Sequence, residues 1–261
     1  MSENVSPARV FSAILLRDVT VARRELPFFL VRTTLQPILF VIVFGFLLPR
    51  MGLIGRGYTT MMMPGIVALS LTLSAIQSVS LPMMADFGFT KEIEDRLLAP
   101  IPTPLVAIEK VVSGTLQGFV AAAFVLPICR IVMGPIAGMT FSYLPLLLFI
   151  TALSGAAFSA IGLYLGTAIP PQQIGLMFSV ILAPMIMFGC TYYPWIGLNH
   201  IPAMKYGVLI NPLVYVSEGM RGALTPSVPH MPMTALICAL LATLAIFMWL
   251  GLRAFDRRAI T

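Results

Sequence analysis

Side chains able to do chemistry are scarce in this sequence, and their spacing suits charge pairing far better than catalysis. Glu218 and Arg221 stand at i,i+3, where two side chains meet on one helix face and pair. The densest charged group, Lys91-Glu92-Ile93-Glu94-Asp95-Arg96, sets Glu92 and Arg96 at the equivalent i,i+4 separation. His200 and His230 lie far apart and outside any H-E-x-x-H pattern, while Cys129, Cys190 and Cys238 form no C-x-x-C, so neither a metal hydrolase nor a disulfide framework is expected. Ser70, Ser154 and Ser159 fall in apolar runs without an identifiable base. No G-x-x-x-x-G-K-[ST] loop is present to cradle phosphates, so the chain is expected to bind no cofactor and to hydrolyse no ATP alone.

The elements that must carry these groups follow from composition. Apolar residues make up 59% of the 261 and charged residues 10%, too little polar surface to solvate a globular protein. The mean hydropathy of +0.96 comes from long continuous blocks, which excludes the alternating strands of a transmembrane barrel and leaves helices. Expected spans cover residues 28–48, 61–81, 105–128, 143–168, 174–189 and 233–252, each long enough or nearly so for about 30 Å of hydrocarbon. The fifth can extend through Tyr192, Tyr193, Pro194 and Trp195 or give way there to an interfacial segment. The first apolar run exceeds a signal core and is expected to stay as an anchor. One transmembrane domain results: an amphipathic helix at 1–27, five spans at 28–190, a broken segment at 191–230, a last span at 231–252 and a tail at 253–261.

An even number of spans puts both termini on one side, with Arg9, Arg17, Arg23, Arg24, Lys91, Arg96, Lys110, Arg253, Arg257 and Arg258. Arg50, Arg56, Arg130, Lys205 and Arg221 fall on the other, a bias of about two to one that places the termini in the cytoplasm. Arg32, a turn inside the first span, can snorkel to that interface. The +6 formal charge is scattered between apolar blocks rather than gathered in a stripe, which excludes a nucleic-acid partner.

Before the first span, Arg9, Ser12, Arg17, Thr20, Arg23 and Arg24 share one helical arc and Phe11, Ile14, Leu15, Val19, Ala22 and Leu26 the opposite one. This describes a helix lying on the membrane surface, as lipid anchor or as docking surface; Asp18 interrupts its apolar arc. Between the second and third spans, Thr90 can cap a helix over 91–98 whose Ile93 and Leu97 form an apolar ridge, stopped by Pro100, Pro102 and Pro104. The ridge fits either the chain's own bundle or a partner's groove. Five prolines between 191 and 230 rule out an ordinary span there, although 206–224 is apolar, as in a re-entrant element on the outer side. Gly155, Ser159, Gly162 and Gly166 give the fourth span a small-residue face suited to close internal packing.

Tyr193-Pro194-Trp195, Leu198, Ile201-Pro202, Asn211-Pro212-Leu213, Tyr215, Glu218 and Arg221-Gly222, followed by a last span, resemble the permease of type-2 ABC exporters, the bacterial drug, lipo-oligosaccharide and O-antigen exporters. Glu94-Asp95-Arg96-Leu97-Leu98-Ala99-Pro100 with Glu109-Lys110 resembles the coupling region of that family, although Phe89-Thr90-Lys91-Glu92-Ile93-Glu94 departs from a more basic, glycine-containing stretch in many relatives. The resemblance implies an all-α integral membrane fold: a six-transmembrane-helix bundle with an amphipathic interface helix and an outer re-entrant segment between the fifth and sixth spans. It further implies a bacterial inner-membrane half-transporter, paired with a second permease as a homodimer and with two cytoplasmic ATPase subunits that bring ATP and Mg. Thr90, Ile93, Glu94, Asp95, Leu97, Leu98 and Pro100 would meet the ATPase; Asn211, Pro212, Tyr215, Glu218, Arg221 and Gly222 would form the outer gate. The expected cargo is a drug, lipid or lipid-linked glycan. An ion-coupled carrier and a lipid-modifying enzyme are the rivals, disfavoured because the drawn spans hold no interior carboxylate and no catalytic cluster.

Overall fold

The computed structural model of the chain describes residues 7–55, 57–87 and 102–260. The loop residues Thr90, Ile93, Glu94, Asp95, Leu97, Leu98 and Pro100 lie outside the described residues, as does the helix expected at 91–98. No strand occurs among the described residues. Helix α1 covers Pro7–Arg24, α2 Leu26–Arg50, α3 Tyr58–Ala85, α4 Thr103–Met133, α5 Leu144–Ala168, α6 Pro171–Met187, α7 Pro202–Gly207, α8 Pro212–Leu224 and α9 Met233–Ile260.

Five of these, α2, α3, α4, α5 and α9, are long and apolar enough to cross a membrane. The expected fifth span at 174–189 is instead the shorter α6. Pro170 and Pro171 open it, a wide π turn occupies Met177–Leu182, and the chain leaves helical geometry at Phe188. Its 17 residues rise about 25 Å, short of a full hydrocarbon core. Helix α2 carries a similar π segment, Val41–Leu47, in mid-span.

Helix α3 forms the centre. It is apolar all round and buried along most of its length, packed by α2, α4, α5 and α8. Several of its hydroxyls meet carbonyls: Ser70 donates to Ala121 and Ser74 to Gln117 of α4, both at 3.3 Å, and Thr72 donates to Ala68 on its own helix. The small face of α5 lies against α3 and α4. A Cβ built on Gly162 would come within 2.7 Å of the Ile76 carbonyl oxygen, and one on Gly166 within 2.9 Å of Ser80 backbone, so two helices meet where side chains would hold them apart. Helix α9 packs on α5 and leaves Leu241, Ile246 and Trp249 exposed; α2 likewise exposes Phe28, Val31 and Leu35, as lipid-facing surfaces do.

The two ends of the bundle differ. At one, α1 lies along α4, Asp18 and Lys110 form a largely buried ion pair, Arg258 donates to the Thr167 carbonyl at 2.7 Å, and Phe87 meets Phe255 edge-on. The face of α1 turned inward holds Phe11, Ile14, Leu15, Asp18 and Ala22, so the carboxylate that interrupts the apolar arc is the one α4 neutralises. At the other end the segment after α6 folds over the bundle, where Thr140 N–H donates to the Leu224 carbonyl at 2.9 Å.

Replacing Gly162 by Leu is expected to destabilise the protein by at least about 1–3 kcal/mol, because the obstruction is backbone rather than a movable side chain. A lower unfolding midpoint in detergent for Gly162→Leu, with Gly175→Leu at an open position unchanged, is the outcome that checks it.

Candidate functional site

The broken segment is held by one charged pair. Glu218 and Arg221 stand on α8, one turn apart, and both are removed from solvent, Arg221 being among the largest fully buried side chains. Burying two charges costs several kcal/mol per ion unless hydrogen bonds replace water, and here they do. Besides its bond to Glu218, Arg221 donates through Nε to the Met61 carbonyl at 3.1 Å and through Nη2 to the Cys190 carbonyl at 3.0 Å. Glu218 accepts from the Trp195 N–H through Oε1 at 2.9 Å and from the Met231 N–H through Oε2 at 3.0 Å. Two side chains thereby tie the start of α3, both sides of the 190–195 loop, and the entry to α9.

The loop needs such partners because its backbone is irregular. Cys190 sits at φ +51°, a left-handed conformation that costs a non-glycine residue about 1–2 kcal/mol. Directly after it, Thr191 crosses α3 so closely that a Cβ on Gly65 would fall 2.0 Å from its carbonyl oxygen. Outward of this crossing, Trp195 opens a 3₁₀ turn, donates its indole N–H to the Lys205 carbonyl at 2.9 Å, and lies under the Lys205 ammonium at 4.5 Å.

Asn211 divides α7 from α8 in a way its side chain explains. Its Oδ1 accepts from the Leu213 N–H at 3.0 Å, capping α8, while Nδ2 donates to the Met185 carbonyl at 2.7 Å and so fastens that cap to the end of α6. Pro212 follows at the first helical position, where its missing N–H costs nothing. Tyr215 donates to the Leu209 carbonyl at 2.7 Å, and Gly222 leaves room for Met233 and the His230 ring. Beside the cap opens an apolar groove of about 620 Å³ between α5, α6, α7 and α9, lined by Ile161, Val180, Pro184, Phe188, Met204 and Phe247 among others.

The structure thus gathers Asn211, Pro212, Tyr215, Glu218, Arg221 and Gly222 on one short helix and its cap, and the i,i+3 pair forms. Sequence reasoning missed what the pair holds. Met61, Cys190 and Met231 contribute only backbone atoms, which leave no mark in residue type, and Cys190 lacks the glycine signature of its conformation. The Asp18–Lys110 pair did leave a signal, a carboxylate in an apolar arc. Among the described residues no cluster of His, Cys, Asp or Glu could hold a metal ion.

Fold and site together define a helical, multi-span membrane protein in which the buried Glu218–Arg221 pair braces irregular backbone. Residues 9–225 match the family described as ABC-2 type transporter, and the chain belongs to that family. It is similar to proteins named inner membrane transport permease YadH from Escherichia coli K12, Escherichia coli O157:H7 and Shigella flexneri, at 28% identity over 73% of this chain and 75% of each relative. The chain is accordingly a transport permease, the non-catalytic membrane subunit of an ABC transporter, and that family works with an ATPase partner.

Breaking the pair from either side strands a charge, at a cost of about 3–5 kcal/mol. Glu218→Met and Arg221→Met are each expected to lose that much stability, and the double variant less than their sum, because it buries no lone charge. Thermal unfolding of the four purified proteins in one detergent measures the coupling; single variants as stable as the parent would refute it.

Proposed function

We propose that this chain is one half of the membrane domain of an ATP-driven exporter, moving a drug, lipid or lipid-linked glycan outward from the cytoplasm or the inner leaflet. Two copies pair and two cytoplasmic ATPase subunits bind them, supplying ATP and Mg that this chain does not hold. The observation that carries the reading is the family match across residues 9–225, which spans nearly all of the amphipathic helix, four of the five long helices and most of the clasped segment, including Glu218 and Arg221.

In this reading α6 completes a sixth membrane segment together with the residues that follow it, and the segment at 191–230 re-enters at the outer face. Both termini and the 88–101 loop lie in the cytoplasm. The distribution of cations supports that orientation: Arg17, Arg23, Arg24, Lys110, Arg253, Arg257 and Arg258 gather at the end bearing α1, against Arg50, Arg130, Lys205 and the buried Arg221 at the other. Thr90, Ile93, Glu94, Asp95, Leu97, Leu98 and Pro100 receive the ATPase motion and pass it to α3 and α4, the helices on either side of their loop. At the far end, Asn211, Pro212, Tyr215, Glu218, Arg221 and Gly222 keep the outer gate a rigid body, so that it moves as a unit. The rival ion-coupled carrier finds less support, since the one deeply buried carboxylate in the gate, Glu218, is fully engaged by three donors.

Purified alone, the chain is expected to show no ATP hydrolysis; co-expressed with its ATPase it forms a complex whose hydrolysis responds to substrate. Leu97→Asp and Leu98→Asp each insert a charge into the apolar contact and are expected to abolish that response while leaving the permease folded. Retention of substrate-stimulated hydrolysis in both variants would overturn the coupling interface.

A further inference from the structure

At the end of the bundle opposite the clasp, a cavity of about 500 Å³ opens between α1 and α2 on one side and α3 and α4 on the other. Its position is fixed by the helix ends that frame it. Glu25 immediately precedes α2, Asp86 immediately follows α3, and Lys110 lies in the second turn of α4, so the cavity straddles one membrane–water boundary. It contains Arg17, Arg32 and Lys110 against Asp18, Glu25 and Asp86, and deepens towards Ser78, Ser113 and Gln117. Three cations balance three carboxylates, which suits neither a purely anionic nor a purely cationic ligand.

Most of these charges have work within the protein. Lys110 pairs with Asp18, and Arg17 and Asp86 take part in interactions of their own. Glu25 and Arg32 do not: both are exposed into the cavity, and among the described residues neither side chain forms a hydrogen bond or ion pair. They stand two helical turns apart, about 10 Å along the axis, and the Arg32 stem leans towards the helix N-terminus, bringing its guanidinium back towards Glu25 and the interface. An unengaged guanidinium and an unengaged carboxylate on one wall match a ligand carrying a phosphate and an ammonium together.

We propose that this cavity is a headgroup site for a zwitterionic phospholipid of the phosphoethanolamine class, its phosphate on Arg32 and its ammonium on Glu25. The acyl chains lie along the exposed apolar face of α2, where Phe28 borders the cavity and Val31, Leu35 and Leu39 continue outward from it. The volume falls within the roughly 300–1,000 Å³ of small-ligand sites, enough for one headgroup and too little for a glycan chain. The site lies to one side of the helices that carry the outer clasp, and it faces the inner leaflet in the orientation proposed above, on which this assignment rests.

Native mass spectrometry of the delipidated permease tests the site, with phosphatidylethanolamine, phosphatidylglycerol or soluble glycerophosphoethanolamine added back separately. The parent protein is expected to retain phosphatidylethanolamine in preference to the other two. Arg32→Gln should weaken that retention about tenfold, the loss expected of one charge-assisted hydrogen bond. Glu25→Lys, a charge reversal at an exposed position, should reverse the preference towards phosphatidylglycerol. Equal retention of the two lipids by the parent, or an unchanged preference in both variants, would overturn the proposal; tighter binding of the soluble compound would overturn its lipid character. Co-purification of the ATPase, read separately, tests the exporter assignment, so that the two can fail independently.

Discussion

Everything outside the straight helices of this protein depends on backbone polar groups finding partners where water is absent. A regular helix meets that demand internally, but the chain from Phe188 to Pro232 is turns and short helices and cannot. Arg221 and Glu218 act as the missing solvent. One presents donors to two carbonyls, the other acceptors to two N–H groups, and their mutual attraction offsets the cost of placing charge there. Asn211 does the same on a smaller scale with an amide, satisfying one donor of α8 and one carbonyl of α6.

The opposite end is organised differently, by helices laid side by side with charge at their margins. Helix α1 turns a partly buried apolar face inward, and its single inward carboxylate finds Lys110 of α4. The pair is largely but not wholly buried, unlike the sealed Glu218–Arg221 contact, and solvent can reach the cavity beside it. One end of the bundle is thus held by a pair sealed from solvent, the other by a pair beside an open cavity.

Sequence reasoning recovered the long helices because their apolar runs exceed what any soluble element needs, and it recovered the charged pair because i,i+3 spacing is local. The small face of α5 was legible for the same reason, since glycines at helical spacing leave a gap that another helix fills. What it could not recover was partnership between backbone atoms and distant side chains. Nothing about Met61 or Cys190 as residue types announces that their carbonyls will receive a guanidinium. The shortness of α6 was legible, since the expected span at 174–189 is already the briefest of the six; what composition did not show is how it ends, at the Phe188 break and the left-handed Cys190.

The π segment in α2 has a consequence for how that helix meets the rest. Its buried residues include Phe29, Thr33, Pro37, Val41 and Gly45, a strict interval of four. In an α-helix of 3.6 residues per turn each such step overshoots by about 40°, and four steps would carry Gly45 about 160° round from Phe29, to the lipid side. Gly45 instead remains buried, its Cα so near Met133 that a Cβ would fall 2.5 Å from the methionine methyl. Unwinding at Val41–Leu47 is what keeps a period-four stripe facing inward along the full length of the helix. The segment thus absorbs about one extra residue: a single-residue deletion within it would restore α winding and, by removing about 100° of rotation, leave Gly45 only about 60° from Phe29, still largely facing its neighbours.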